Sequence, residues 1–268
     1  MLEDKVSFED KAIQELNRQF IFILGAPRSG TTWLQNMIAS HPDVAGFKNS
    51  EQTLFSLYIA PMEINWNDQL YYVKNNIRGR GLPFIWSESE YEHFIKGFIN
   101  KVYTKFLKVK PDASHIVDKN PGYSHQVDLI HKYLPHAKFI HIIRDGRDVC
   151  LSSKSAKKRH GFGKDNIIDA ARIWKKHIRN AKKAAKFGNK HYMEIKYEVL
   201  KSMPNQVLED VFSFLELDFQ DKIIQEILIE NQKGKVSAPN PDRIKFEKQN
   251  RKDFWQSELK KKKKYLLH

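Results

Sequence analysis

Gly25-Ala26-Pro27-Arg28-Ser29-Gly30-Thr31-Thr32-Trp33-Leu34, preceded by the apolar run Phe20-Ile21-Phe22-Ile23-Leu24, is the stretch on which the folding of this chain turns. It reads as a strand, a tight glycine-bounded loop and the start of a helix, the arrangement in which backbone N–H groups converge on an anion at a helix N-terminus. The glycine spacing is that of a P-loop, but Thr31 stands where a nucleotide triphosphatase carries Lys, and the nearest cation is Arg28, inside the loop. That Lys is the main protein counter-charge for the β- and γ-phosphates. A triphosphate is therefore a poor fit, and a shorter, 5′-linked phosphate or sulfate group a better one. The hydroxyls of Ser29, Thr31 and Thr32 add donors around it. The bland alternative is a strand-to-helix turn that needs Gly30 only for its backbone geometry; three hydroxyls and an internal Arg weigh against it.

Outward from this loop, apolar runs of strand length recur at residues 115–117, 139–143 and 192–195. Two of the four runs, 20–24 and 139–143, are continuous, as expected of strands covered on both faces. Helix-period segments lie at 31–40, 122–134, 146–159, 167–187 and 204–216. In 167–187, Ile167, Ala171, Trp174, Ile178, Ala181 and Ala185 share one stripe with lysines opposite; in 204–216, Val207, Val211, Phe212 and Leu215 turn inward. Strands alternating with helices predict an α/β fold with a P-loop-like central parallel β-sheet flanked by helices. Ligands bind such sheets at the carboxyl ends of the strands.

Residues 52–110 break the alternation with Phe55, Tyr58, Trp66, Tyr71, Tyr72, Phe84, Trp86, Tyr91, Phe94 and Phe98. They predict a helical, aromatic-rich insertion, which either caps the core or forms a lid over an acceptor. The 268 residues suit one domain, 1–268, and a hydrophobic fraction of 41% excludes a disordered chain. The net charge of +14 is concentrated: residues 144–190 hold 15 Lys/Arg against 4 Asp/Glu, and the C-terminal segment 241–268 holds 10 against 4. Such fields attract anions, although the run Lys260–Lys264 reads as a solvated tail. The single Cys150 excludes an internal disulfide and suits a small buried hydrophobe. No histidine spacing suggests a metal site. The first 20 residues lack an apolar signal-peptide core and no run approaches a membrane span, which predicts a cytoplasmic protein.

A second anion signal closes the strand 139–143: Arg144-Asp145-Gly146-Arg147-Asp148, with Ser152 eight residues after Arg144. A helix starting just after Arg144 can bring a hydroxyl of its second turn toward the same crevice. Locally, Arg144 can instead pair with Asp148 while Asp145 caps the helix. With both signals in view, the chain resembles the sulfotransferases that use 3′-phosphoadenosine-5′-phosphosulfate (PAPS) as co-substrate, in particular bacterial carbohydrate and tyrosylprotein sulfotransferases. The resemblance runs from about residue 20 to 217. It implies that Arg28, Ser29, Gly30, Thr31 and Thr32 hold the 5′-phosphosulfate, that Arg144 and Ser152 hold the 3′-phosphate, and that Trp33 and Tyr197 lie against the adenine. Arg251 and Lys252, beside Trp255, resemble a late basic segment that closes over the 3′-phosphate.

The resemblance also implies the chemistry: metal-independent transfer of a sulfuryl group to a hydroxyl or amine acceptor, such as a carbohydrate or other small molecule, by in-line displacement. Lys119, in Asp118-Lys119-Asn120-Pro121, resembles a Lys that acts on the transferring group, and Arg28 shares that task; a strand-end Lys paired to Asp118 is the simpler account. Glu51, in Lys48-Asn49-Ser50-Glu51, matches a catalytic Glu and is the expected base, with His125 in reserve; a helix-dipole role is the competing reading for Glu51. Two rivals remain. An ATP-dependent P-loop kinase predicts the Lys that Thr31 replaces, and a non-catalytic polyanion or RNA binder predicts base-placing motifs that are missing. No dedicated nucleic-acid partner is expected.

Overall fold

The computed structural model describes residues 18–77, 79, 81–108 and 110–232. The chain divides into two units, Met1–Ile229 and Glu230–His268, and the fold below is that of the first. Its frame is a five-stranded, all-parallel sheet in the order β2-β3-β1-β4-β5, formed by β1 (Gln19–Leu24), β2 (Val44–Ala45), β3 (His115–Lys119), β4 (Lys138–Ile143) and β5 (Tyr192–Lys196). β1 is the middle strand. Its register sets Ile23 beside Lys119 on one side and Leu24 beside His141 on the other, so the loop leaving β1 emerges between the ends of β3 and β4.

The period-two alternation of a strand sorts the side chains into two cores. Phe20, Phe22, Leu24, Ile116 and Phe139 face one side, with Phe55, Tyr91, Tyr103 and Tyr123. Ile21, Ile23, Val117, Ile140, Ile142 and Ile195 face the other, with Leu34, Met37 and Ile38 of α1 (Thr31–Ser40). There the predicted inward residues of a C-terminal helix join them: Val207, Val211, Phe212 and Leu215, with Leu208. Both faces of the sheet are covered, as the continuous apolar runs predicted.

Residues 54–108 supply the first of these cores. A π-helical stretch, Leu54–Ile59, leads into α2 (Ala60–Lys74), and α3 (Glu88–Tyr103) follows, its start fixed by a capping box between Ser87 and Glu90. Phe55, Trp66 and Tyr91 are buried, with Trp66 stacked on Tyr91 at 4.0 Å between ring centroids. Tyr58, Tyr71, Phe84 and Phe94 are exposed. The insertion is thus helical and part of the core, with an outer aromatic face left over.

Four expectations change. β2 has two residues, too few to show a periodicity, and the sequence missed it. The segment 122–134 is a 3₁₀ turn (Pro121–His125) followed by α4 (Val127–Tyr133), rather than one helix. After α5 (Gly146–His160), α6 runs Ile167–Ala181 and continues as a 3₁₀ turn to Phe187. The inward stripe of α6 is Ala170, His177 and Ala181, joined by Ala184 from that turn, instead of one running through Ala171 and Ala185. A buried His is admissible there because His177 bonds the Pro121 carbonyl and packs on His125. The chain continues through α7 (Tyr197–Ser202), α8 (Pro204–Leu215) and α9 (Asp221–Glu230); the sequence did not resolve α7 or α9. Cys150 is buried, as expected. Among the described residues no helix is long and apolar enough to cross a membrane.

Phe22 is fully buried among Phe55, Tyr103, Tyr123 and Phe139. Phe22→Ala is expected to lower stability by about 3–5 kcal/mol in urea unfolding followed by tryptophan fluorescence.

Candidate active site

The loop between β1 and α1 is built to leave donors open. Gly30, at φ 94°, is the N-cap of α1, no side chain caps the helix, and its first turn carries no acid. The first N–H groups and the positive end of the helix dipole therefore lack an internal anion. Ser29 is fully buried, and its hydroxyl has no hydrogen-bond partner among the described residues. Arg28 is held at φ 74°, in the left-handed region that a non-glycine residue occupies only at a cost.

From β4, Arg144 reaches over this loop. Its Nη1 donates to the Arg28 carbonyl at 3.1 Å, its guanidinium lies 4.4 Å from the Tyr197 ring centroid, and its buried Nε has no hydrogen-bond partner. Arg28 Nε in turn donates to Ser152 Oγ on α5 at 3.1 Å, and its guanidinium stands over Phe162. The two predicted anion signals thus interlock, with Arg28, Arg144 and Ser152 around one cleft. The local alternatives are present as well: Arg144 Nη2 lies 3.4 Å from Asp148, and the Asp145 side chain accepts from the Arg147 N–H. Tyr197 closes the group. It meets Trp33 edge-to-face at 6.1 Å, and a Cβ on Gly30 would lie 2.5 Å from its ring.

On the other flank of β1, Lys119 ends β3 with its side chain buried. Its Nζ donates to Thr32 Oγ1 at 3.0 Å and to Glu51 Oε1 at 2.6 Å, while the Glu51 carboxylate is about half exposed (49%). Lys119, Thr32 and Glu51, chosen separately in the sequence, form one hydrogen-bonded group. The Lys119 side chain is thereby committed to Glu51; Asp118 binds only its backbone N–H, at 2.7 Å. His125 stands elsewhere: its Nδ1 pairs with Asn180 on α6 at 2.7 Å and its ring lies 4.5 Å from that of His177. Burial, with Lys176 and Lys183 nearby, lowers its pKa below the ordinary imidazole value. Arg251 and Lys252 lie outside the described residues. Sequence reasoning overlooked Phe162 beneath Arg28, Trp174, whose indole N–H donates to the Arg144 carbonyl at 3.1 Å, and Glu198, which accepts from the Asp145 N–H. None of these has a spacing that announces a site; they meet it through helix packing.

The profile of the Sulfotransferase family matches residues 20–221, three quarters of the chain, from β1 through α8. The chain belongs to this family. Among curated sulfotransferases, it is 26% identical over 224 residues to protein-tyrosine sulfotransferase 1 of Danio rerio, a match covering 83% of this chain and 60% of that protein. The aligned part of the chain thus spans less than two thirds of the zebrafish protein's length. Among solved structures, the fold is shared with the sulfotransferase domain of the Synechococcus PCC 7002 olefin synthase (TM-score 0.53, 22% identity, 85% of this chain and 83% of that one). It is also shared with mouse sulfotransferase SULT7A1 complexed with PAP (TM-score 0.50, 14% identity, 82% and 67%).

Gly30→Ala in this sulfotransferase-family chain combines a strained φ with a clash on Tyr197. Stability is expected to fall by about 1–3 kcal/mol, and Tyr197→Ala in the same chain should recover only the part due to the clash. Guanidinium unfolding of both variants checks this.

Proposed function

We propose that this chain transfers the sulfuryl group of PAPS to a hydroxyl acceptor. The observation that supports it best is the pair of flanks on β1: an uncapped helix start with Ser29, Arg28, Arg144 and Ser152 on one side, and Lys119, Thr32 and Glu51 on the other. Two partnerless buried groups, Ser29 Oγ and Arg144 Nε, suit a ligand with two anionic ends. In this reading Ser29, Gly30, Thr31 and Thr32 hold the 5′ end with Arg28, Arg144 and Ser152 hold the 3′-phosphate, and Trp33 and Tyr197 flank the base. PAPS supplies the sulfuryl group and a bisphosphate leaving group.

Glu51 takes the proton from the acceptor hydroxyl, its exposed carboxylate being open to an entering molecule. Lys119 and Arg28 place positive charge where the leaving oxygen becomes negative, in fixed positions that need no rearrangement at the moment of transfer. Side-chain cations carry this stabilisation without a metal. Residues 52–110 form the acceptor side of a single catalytic domain, their exposed Tyr58, Tyr71, Phe84 and Phe94 suiting a sugar ring or other small hydroxyl compound. The cytoplasm is the proposed setting. A protein tyrosine is the second acceptor reading, favoured by the name of the zebrafish relative.

Calorimetric titration with adenosine 3′,5′-bisphosphate (PAP) in EDTA, beside AMP and ATP with Mg²⁺, tests the reading. Strong preference for PAP is expected, and equal weak binding of all three would return the kinase and polyanion-binder alternatives. Arg144→Ala should weaken PAP by about 1.5–3 kcal/mol, the worth of a charged hydrogen bond, while leaving adenosine 5′-phosphosulfate far less affected. Glu51→Ala should lower transfer from labelled PAPS to sugar and tyrosine-peptide acceptors by about 10²–10⁴-fold, with PAP affinity unchanged.

A further inference from the structure

Asp118 is fully buried beside the candidate active site, and nothing in the transfer reaction as described uses it. Its Oδ2 accepts from Tyr103 Oη at 2.8 Å and from Tyr123 Oη at 2.9 Å, and its Oδ1 accepts from the Lys119 N–H at 2.7 Å. Neither tyrosine is free to move. The Tyr103 ring packs on Phe20, Phe22 and Phe106, and the Tyr123 ring on Phe22 and Phe55. The carboxylate is therefore clamped by hydroxyls from two separate elements: the last residue of α3, in the insertion, and the turn that follows β3.

Burying a carboxylate is costly unless it is hydrogen-bonded and faces positive charge. Here three donors and the Lys119 cation act against that cost, and the group remains partly destabilised: burial raises its pKa to about 6, against lowering by Tyr103, Tyr123 and Lys119. Among the described residues the titratable groups acting on it are these three; the residue beside it on β1 is Phe22. Its three hydrogen-bond partners are all donors, which suits an acceptor-only carboxylate; an amide would turn its own NH₂ toward one of them. The carboxylate is bonded to the backbone of the residue whose ammonium holds Glu51, a placement that points to a task at Lys119.

We propose that Asp118 is a positioning residue for sulfuryl transfer: held by Tyr103 and Tyr123, it fixes the end of β3 through the Lys119 N–H so that the Lys119 side chain meets Thr32 and Glu51. The strand end is thereby tied to the insertion through Tyr103, so the acceptor side and the transferring Lys share one hydrogen-bonded unit. The proposal rests on the PAPS reading for its chemistry but not for its geometry.

The test uses the full chain and four variants: Asp118→Asn, Tyr103→Phe, Tyr123→Phe and Lys119→Arg, the last to assign the Lys119 resonance in protein labelled with ¹³C at lysine Cε. In the wild type that resonance should step as Asp118 titrates. Each Phe variant loses a hydroxyl that stabilises the carboxylate, so the step should move to higher pH; in Asp118→Asn it should vanish. The acid limb of sulfate release from labelled PAPS should move with it, and Asp118→Asn should lower kcat about 10- to 100-fold while its calorimetric Kd for PAP stays within the error of the wild type. A limb and resonance unmoved in both Phe variants, or wild-type kcat in Asp118→Asn, would overturn the proposal. If Asp118→Asn does not fold, the two Phe variants decide, since each keeps its ring. Failure of the wild type to bind PAP would sink the PAPS reading, and the Lys119 resonance would still report on Asp118.

Discussion

The parallel pairing of β1 with β3 on one side and β4 on the other governs this structure. Because β1 is the middle strand and all five run the same way, every strand end with chemistry on it opens onto the same edge. Lys119 ends β3, the Gly25–Gly30 loop ends β1, and Arg144 follows β4. A shift of either neighbour by one residue would turn its terminal side chain to the opposite face, separating Lys119 from Thr32 or Arg144 from the Arg28 carbonyl. The two apolar cores hold that register, aromatic on the insertion face and aliphatic on the other.

Three cations gather at that edge. Arg144 rests on the Tyr197 face and a backbone carbonyl, Arg28 on a serine hydroxyl and Phe162, and Lys119 on Thr32. Carbonyls, hydroxyls and ring faces fix a cation in place and leave its charge standing. Asp148 meets Arg144 at 3.4 Å, and Glu51 meets Lys119 at 2.6 Å. The cations of this edge are thereby held in place on both flanks of β1.

The insertion has a double role. Phe55, Trp66, Tyr91 and Tyr103 complete the core that holds β1 and β3, so the segment proposed to face the acceptor also stabilises the strand carrying Lys119. Aromatic richness alone did not separate these tasks, because residues of one type are divided between the interior (Phe55, Tyr91) and the surface (Tyr58, Phe84). That division follows from which helix face meets the sheet. Similarly, Ala170 rather than Ala171 faces inward, on the stripe where His177 bonds the Pro121 carbonyl, a pairing with no trace in the periodicity of α6.

Read as a string of residues, the chain already specified the strand–loop–helix at Gly25–Leu34, the parallel α/β class and the two anion signals, because these depend on local spacing: apolar runs, glycine positions, a helix starting just past an Arg. Thr31 in place of a Lys argued against a triphosphate on the same local grounds. What spacing could not convey was who meets whom. Lys119 and Glu51 lie 68 residues apart and Arg28 and Ser152 lie 124 apart, and only the crossovers of the sheet close those distances. The two-residue β2, the Tyr103–Asp118–Tyr123 clamp and the Phe162 contact share that origin: each is made by packing between distant segments, where the energy resides in burial and pairing rather than in any local pattern.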